Sequence, residues 1–393
     1  QFRDASYSLA MRGLAVDDDE PRHFHGPTRD VGAARDDAVP PPRIGEPLTS
    51  EQAESLMALI GVPQLPDAWK QGLFFAGYQP YGLQQVEGGS CGVLATVQAF
   101  LLKSLLVRSG GSPAGVLEVD EKTRQEALVE ALCEILFRNA GDNKKAIVLI
   151  PSSASAVPLN ASQLRCLQPA HFSSYEQLQF HLNQRPYRDF FFNPSGCGVP
   201  LLLYSLVWTR GVHGIRDNDV DDAKTGVMIG SYGYCTQELV NLMVFGRAYS
   251  NVFDGSKRLG SAQDGWYVMQ GAPRRAPVGF LSLFEAKNDC IEVGSRYKGP
   301  ASPVWVVCAE SHYSVMFAVD PSVDPRDSDR PLELYYFDQF GRQDQRIKLT
   351  VTPRQLPGHL TTGFEEGESI IDQCIRTKWK QADVDWNGAE KIL

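Results

Sequence analysis

The longest apolar pattern in the chain runs from Val93 to Val107, where almost every position is hydrophobic. A run that is apolar on all sides predicts a helix buried on most faces, which, counted from Cys91 to Arg108, runs about 27 Å at a rise of 1.5 Å per residue. The other segments are one-sided. TSEQAESLMALIG opens at Thr49 with a capping signal, carries apolar residues at helical spacing and stops at Gly61. EALVEALCEILFRNAG places Leu128, Leu132, Ile135 and Leu136 on one face, which predicts a second packed helix. AIVLIP (146–151) predicts a short buried strand. Ser174 with Gln177 resembles a capping box ahead of YEQLQFHLNQ, and residues 194–198 form a turn before the apolar run VPLLLYSLVW. Thr236 is placed to cap QELVNLMVF, which stops at Gly246. PVWVVCAESHYSVMFAV predicts a strand, a brief polar break and a second strand headed by His312, and LELYYFD a further strand ending in Asp338. GIRDNDVDDAKTG (214–226) is expected to be a solvent-exposed loop, its acidic run a solvated face rather than a metal site.

Ahead of Thr49 the pattern fades. Residues 1–48 are rich in Asp, Arg, Pro and Gly, and predict a disordered leader or linker in front of one domain over 49–393. His23 and His25 are read as part of a solvated tail rather than a metal site. With 393 residues, 43% of them hydrophobic, the chain can bury a sizeable core. A net charge of −9 with no long basic stripe argues against a nucleic-acid partner. The eight cysteines contain no CxxC pair and no close Cys/His cluster, so no metal and no cofactor is expected, and the cysteines read as buried free thiols in a reducing compartment. No membrane span is expected, VPLLLYSLVW being too short for one. The sequence begins at Gln1 rather than Met, which is compatible with a fragment.

Candidate chemistry enters where the Gly-rich turn VEGGSCG delivers Cys91 to the start of the apolar helix. Unpaired N–H groups and the positive dipole end of a helix favour thiolate over thiol, the attacking species of a cysteine enzyme. Gln85, six residues earlier, is the candidate oxyanion donor, with the neighbouring Gln84 as the alternative. The same Gln-to-Cys spacing before a helix occurs in papain-like cysteine proteases. Gly88-Gly89-Ser90-Cys91-Gly92 also fits G-x-S-x-G, the nucleophile elbow of serine hydrolases with Ser90 as nucleophile, but YGLQQVE is not the hydrophobic strand that elbow needs.

VEGGSCGVLATVQAFLLKSLL resembles the nucleophile segment of the MINDY deubiquitinases, cysteine peptidases of papain-like fold that cut lysine-48-linked polyubiquitin. GYCTQELVNLMVFGRAYSNVFDG, GFLSLFEAKNDC, PVWVVCAESHYSVMFA and IRTKWKQADVDWNG match further family segments in order, closest to the branch of the fourth human paralogue. One departure is Ser90, where the family usually has proline. The resemblance implies an α+β, papain-like fold in which the nucleophile-bearing helix packs on a mostly antiparallel sheet. It also implies isopeptide hydrolysis through a thioester on Cys91, with His312 as proton acceptor and donor. Asp338 is the candidate to orient His312, with Glu310 ranked below it. Ubiquitin and polyubiquitin chains are the partners implied, and the protein is expected to be an intracellular monomer of the cytoplasm and nucleus. A ubiquitin-binding scaffold of the same fold that no longer cleaves is the alternative.

Overall fold

The computed structural model describes residues 39–141, 145–152, 158–261, 265–287, 291–341, 343–353 and 368–391. The first half contains β1 (Arg43–Ile44), α1 (Ser50–Ile60), a 3-10 turn at Asp67–Trp69, α2 (Cys91–Arg108), α3 (Pro113–Leu117), α4 (Glu121–Asn139), β2 (Ala146–Pro151), α5 (Ala161–Leu164), β3 (Leu167–Phe172), α6 (Tyr175–Leu182), α7 (Tyr187–Phe192), α8 (Gly198–Arg210) and α9 (Val212–Asn218). The second half contains α10 (Gln237–Phe245), β4 (Ser256–Ser261), β5 (Gly265–Gln270), β6 (Gly279–Ser282), α11 (Leu283–Ala286), α12 (Ser295–Lys298), β7 (Val304–Ala309), β8 (His312–Phe317), β9 (Leu332–Phe337), β10 (Ile347–Thr352), α13 (Ile370–Lys378) and β11 (Asp383–Asp385).

Strand periodicity organises this α+β chain around a six-stranded sheet of order β11-β10-β9-β8-β7-β6. All its pairings are antiparallel except β6 with β7. Side chains alternate across a strand, and β7 and β8 are apolar at both phases. Val304, Val306, Cys308, Val315 and Phe317 enter one core with α2, while Trp305, Val307, Met316 and Ala318 enter a second core with α13. A strand buried on both faces reads as a continuous hydrophobic run, which is why PVWVVCA shows no alternation in sequence.

Helix α2 is the post of the first core, packed on β7, β8, α4 and α10. It is 18 residues long and apolar enough by composition to cross a membrane, but 72% of it is buried inside the protein. Its polar exceptions are satisfied internally. Thr96 Oγ1 donates to Gly92 O (2.7 Å). The fully buried Gln98 accepts from Leu83 N (2.7 Å) and donates to Tyr81 O (2.8 Å), fastening the chain ahead of the Gly-rich turn to the helix. Thr49 and Gln52 form the expected capping box of α1, and Gly61 ends it in the left-handed region.

Three local expectations need amendment. Part of the segment read as leader is built into the fold: Arg43 and Ile44 pair with β3, and Leu48 N donates to Leu167 O (3.0 Å). The three-stranded β1-β3-β2 sheet supplies backbone partners that low local hydrophobicity does not announce. His23 and His25 lie outside the described residues. Second, the segment expected as an exposed loop at 214–226 begins as α9, and Asp219 is buried against Arg210 (2.7 Å). Third, Thr236 sits at the N-cap of α10, but its hydroxyl donates to Val227 O (2.7 Å) instead of capping.

Candidate active site

Cys91 is the first residue of α2 and is 2% exposed. Ser90 before it makes no side-chain cap, so the first-turn N–H groups keep their positive field directed at the cysteine. The turn itself is braced from both sides. Gly89 has φ 113°, conformational space that glycine occupies without strain. Cys235 N donates to Gly89 O (3.4 Å), and the buried Trp69 packs beside Gly89 while its Nε1 donates to Gly233 O (2.9 Å). Gly92 has to be small: a Cβ there would lie 2.7 Å from Cys235 Sγ.

His312 heads β8 and reaches the same point. Its imidazole adjoins Cys91, whose Sγ donates to the carbonyl of Ser311 (3.6 Å), a residue 220 positions away in sequence. Nε2 of His312 stands 2.9 Å from Asp338 Oδ1, although the N–H is not aligned along that contact. With Nε2 on the carboxylate, Nδ1 is the nitrogen left for the thiol. Antiparallel pairing produces this meeting, since Val315 lies opposite Phe337 and Asp338 follows directly at the end of β9. Burial alone would hold the imidazolium down, but hydrogen bonds and charge from Asp338 and Cys91 outweigh it and lift His312 to about 10. Asp338 is itself fixed, accepting from Phe340 N (2.9 Å) while its own N–H donates to Gln343 Oε1 (3.1 Å). Glu310 does not compete for His312. It occupies a turn at φ 60° and faces Lys287 (3.3 Å).

Gln85 is buried in the loop ahead of the Gly-rich turn. Its backbone N–H donates to Gln339 O (2.8 Å), which ties this loop to the one carrying Asp338. Its Nε2 donates to Glu87 O (2.6 Å), leaving the second amide hydrogen uncommitted, and its Oε1 has no partner. Gln84 Nε2 donates instead to Gln85 O (2.8 Å), turned back along its own loop. The structure thus groups Cys91, His312 and Asp338, with Gln85 on the adjoining loop.

Sequence reasoning missed the braces of this loop. Gln71 accepts from Val86 N (2.9 Å) and donates to Gln84 O (3.0 Å). Gln98 had a detectable signal, a glutamine in an otherwise apolar helix; Gln71 and Trp69 had none. Ser90 Oγ is buried with no hydrogen-bond partner among the described residues, and no base adjoins it. Ser90→Ala is therefore expected to leave the reactivity of Cys91 in place and to raise unfolding free energy by about 1 kcal/mol, read by thiol labelling and urea melts. Burial pushes the Cys235 thiol well up, and Cys308 to about 12 despite a hydrogen bond from Tyr313. These neighbours remain thiols at neutral pH. Among the described residues no group of three or more His, Cys, Asp or Glu side chains is placed to hold a metal ion.

The conserved domain of the deubiquitinating enzymes MINDY-3/4 matches residues 62–388. A frog (Xenopus tropicalis) protein named probable ubiquitin carboxyl-terminal hydrolase MINDY-4 is 38% identical over 365 residues, 89% of this chain and 47% of its own length. The human protein of that name is 37% identical over 324 residues, 80% of this chain and 41% of its own. Mouse ubiquitin carboxyl-terminal hydrolase MINDY-3 is 32% identical over 302 residues, 70% of this chain and 66% of its own. The chain thus spans about half the length, or less, of the MINDY-4 relatives it matches. No solved structure matches it. Because the domain match spans residues 62–388, and with them Gln85, Cys91, His312 and Asp338, the chain belongs to the MINDY-3/4 family of deubiquitinating enzymes.

Proposed function

We propose that this chain is a cysteine peptidase of papain-like arrangement that hydrolyses isopeptide bonds in polyubiquitin, with lysine-48-linked chains as its substrate. One observation carries the chemistry: a cysteine at a helix N-terminus beside an imidazole whose Nε2 lies 2.9 Å from a buried carboxylate. Cys91 attacks the carbonyl carbon of ubiquitin's terminal glycine as the thiolate of a thiolate–imidazolium pair, its proton held on His312. The carbonyl oxygen becomes an oxyanion, held by the Cys91 N–H and by the uncommitted amide hydrogen of Gln85. As the C–N bond breaks, imidazolium returns the proton to the departing lysine amine, leaving a thioester. Water, deprotonated by His312, then hydrolyses the thioester and frees the ubiquitin carboxylate. The mechanism needs no metal or organic cofactor.

Linkage preference is taken from the family resemblance. Ubiquitin as partner also fits the chain's acidity, because the ubiquitin surface around its binding patch is basic and the net charge here is −9. We place the protein in the cytoplasm and nucleus, where such conjugates are made, as a monomer with a leader ahead of the domain.

The test is incubation with ubiquitin bearing a thiol-reactive electrophile at its C-terminus. A covalent adduct at Cys91 is the expected result. Chain binding with no adduct would instead identify a non-cleaving scaffold, and labelling at Ser90 a serine hydrolase. Gln85→Ala is expected to lower kcat by about a hundredfold, close to 3 kcal/mol of barrier, with little change in KM, as steady-state hydrolysis of a ubiquitin dye amide would show.

A further inference from the structure

Cys91 has other sulfurs for neighbours. Cys235 ends a turn over residues 230–235, closed by Gly230 N donating to Tyr234 O (2.9 Å) and by the pairing of Ile229 with Cys235. From there it touches the nucleophile's own turn on both sides of Cys91. Its N–H donates to Gly89 O (3.4 Å), while its Sγ and Cβ lie 2.7 and 2.8 Å from where a Cβ on Gly92 would stand. Residues 89 and 92 bracket Cys91, so Cys235 is held against the first turn of α2. Cys308 completes the group from β7. All three cysteines are unbridged and buried.

The two neighbours sit on different supports. Cys308 belongs to a central strand, paired with β6 on one side and β8 on the other, and its Sγ is turned to Glu310 O (3.5 Å) and to Tyr313. Cys235 hangs from a surface turn, where Tyr232 is 91% exposed and Tyr234 is 42% exposed, and its Sγ donates to the carbonyl of the next residue, Thr236 (3.5 Å). Of the two, Cys235 has the freer support. The three sulfurs also differ in chemistry. Cys91 stands at a helix N-terminus beside an imidazole, the setting in which a thiolate meets an oxidant. Burial pushes Cys235 well up and Cys308 to about 12, so neither competes for that oxidant. Packing against Gly92 needs no sulfur, since the Cβ of an alanine would make the same contact. What the thiol adds is an atom able to bond to Cys91.

We propose that Cys91 is a reversible oxidation site with Cys235 as its resolving cysteine: a hydroperoxide converts Cys91 to the sulfenic acid, and Cys235 captures it as a disulfide. This rests on the cysteine-peptidase reading and adds a block to it. With hydrogen peroxide, the Cys91 thiolate attacks one oxygen, an S–O bond forms and the O–O bond breaks. The departing hydroxide takes the proton held on His312 and leaves as water. The Cys235 sulfur then attacks the Cys91 sulfur, the S–S bond forms and the S–O bond breaks. That second hydroxide carries off the Cys235 proton, also as water, and two electrons have passed from the sulfurs to the peroxide. Gly89, already at φ 113°, lets the turn yield as the sulfurs close. While the bridge stands Cys91 forms no thioester, and a dithiol reductant restores both thiols. The bridge also consumes the sulfenic acid before further peroxide carries it to the irreversible sulfinic acid.

The test treats the full chain with hydrogen peroxide, traps free thiols by alkylation after denaturation, and reads each cysteine by mass spectrometry of the digest. A linked Cys91–Cys235 peptide is expected, together with a loss of Cys91 alkylation that dithiothreitol reverses. In Cys235→Ala, Cys91 is alkylated as in the parent before oxidation, but peroxide takes it to the sulfinic acid and dithiothreitol no longer recovers it. Cys308→Ala keeps both the bridge and the recovery. Should Cys235→Ala not fold, Cys235→Ser keeps the side-chain volume and reads the same loss. A Cys91–Cys308 bridge overturns the proposal, as do equal recovery in the Cys235 variant, sulfinic acid without a bridge in the parent, and no oxidation at all. Labelling by the ubiquitin electrophile separates this link from the peptidase reading. A bridge in a protein that the electrophile never labels supports the link and refutes the peptidase, while labelling at Cys91 with no bridge does the reverse.

Discussion

Replacing Cys91 with alanine is expected to abolish cleavage of ubiquitin chains, a loss on the order of 10⁶-fold, while chain binding persists. Removing Sγ takes away the atom proposed to form the thioester and leaves the backbone of the turn in place. Alanine keeps the Cβ and is a strong helix former, so α2 retains its first turn. The Gly89 and Trp69 braces involve no part of the cysteine side chain. Gel-based cleavage of lysine-48-linked tetraubiquitin, paired with pull-down of the same chains, checks both halves. Undiminished cleavage would eliminate the mechanism.

The second large effect is expected from Asp338→Asn. Burial opposes the charged form of His312, yet the Asp338 carboxylate and Cys91 together hold it up to about 10. Imidazolium must be present to protonate the departing amine, so wild-type activity should fall only as pH rises through that value. In the variant the carboxylate charge is gone, the basic limb of the pH–rate profile moves to lower pH, and kcat at neutral pH drops about a hundredfold. A residue that merely held the loop in place would lower stability without moving the limb. The linkage has a matching sign. Raised above its ordinary value of 6.5, His312 contributes stability that is fully present below that pH and is lost as pH climbs toward about 10. Urea melts across that range should show wild type weakening while the variant stays flatter.

The place of Cys91, the candidate nucleophile, is legible because two signals coincide there: a glycine turn and the start of a helix that is apolar all round. His312 is legible as the histidine flanked by apolar strand on both sides. Asp338 was harder to read from sequence, since an aspartate at a strand end is most often a turn residue, and only the pairing of Val315 with Phe337 brings it to the imidazole. Pairing register is a long-range property that local pattern does not carry. The same limit hid β1, whose partner lies beyond residue 166, and α9 with Asp219, where acidic composition suggested solvent but Arg210 supplies a buried counter-ion. Gln71 and Trp69 were invisible because buried amides and indoles that brace a loop differ in nothing local from those that do not.

The sheet bearing His312 is clamped between two separate apolar masses, so the histidine half of the machinery behaves as masonry: nothing short of melting both sides would displace it. The thin span of chain ahead of Cys91, by contrast, is held by a few hydrogen bonds from Gln71 and Gln98 and by the packing of Trp69 beside Gly89. Any device that turns such an enzyme off, natural or synthetic, therefore gains far more leverage by bending that span than by pushing on the imidazole.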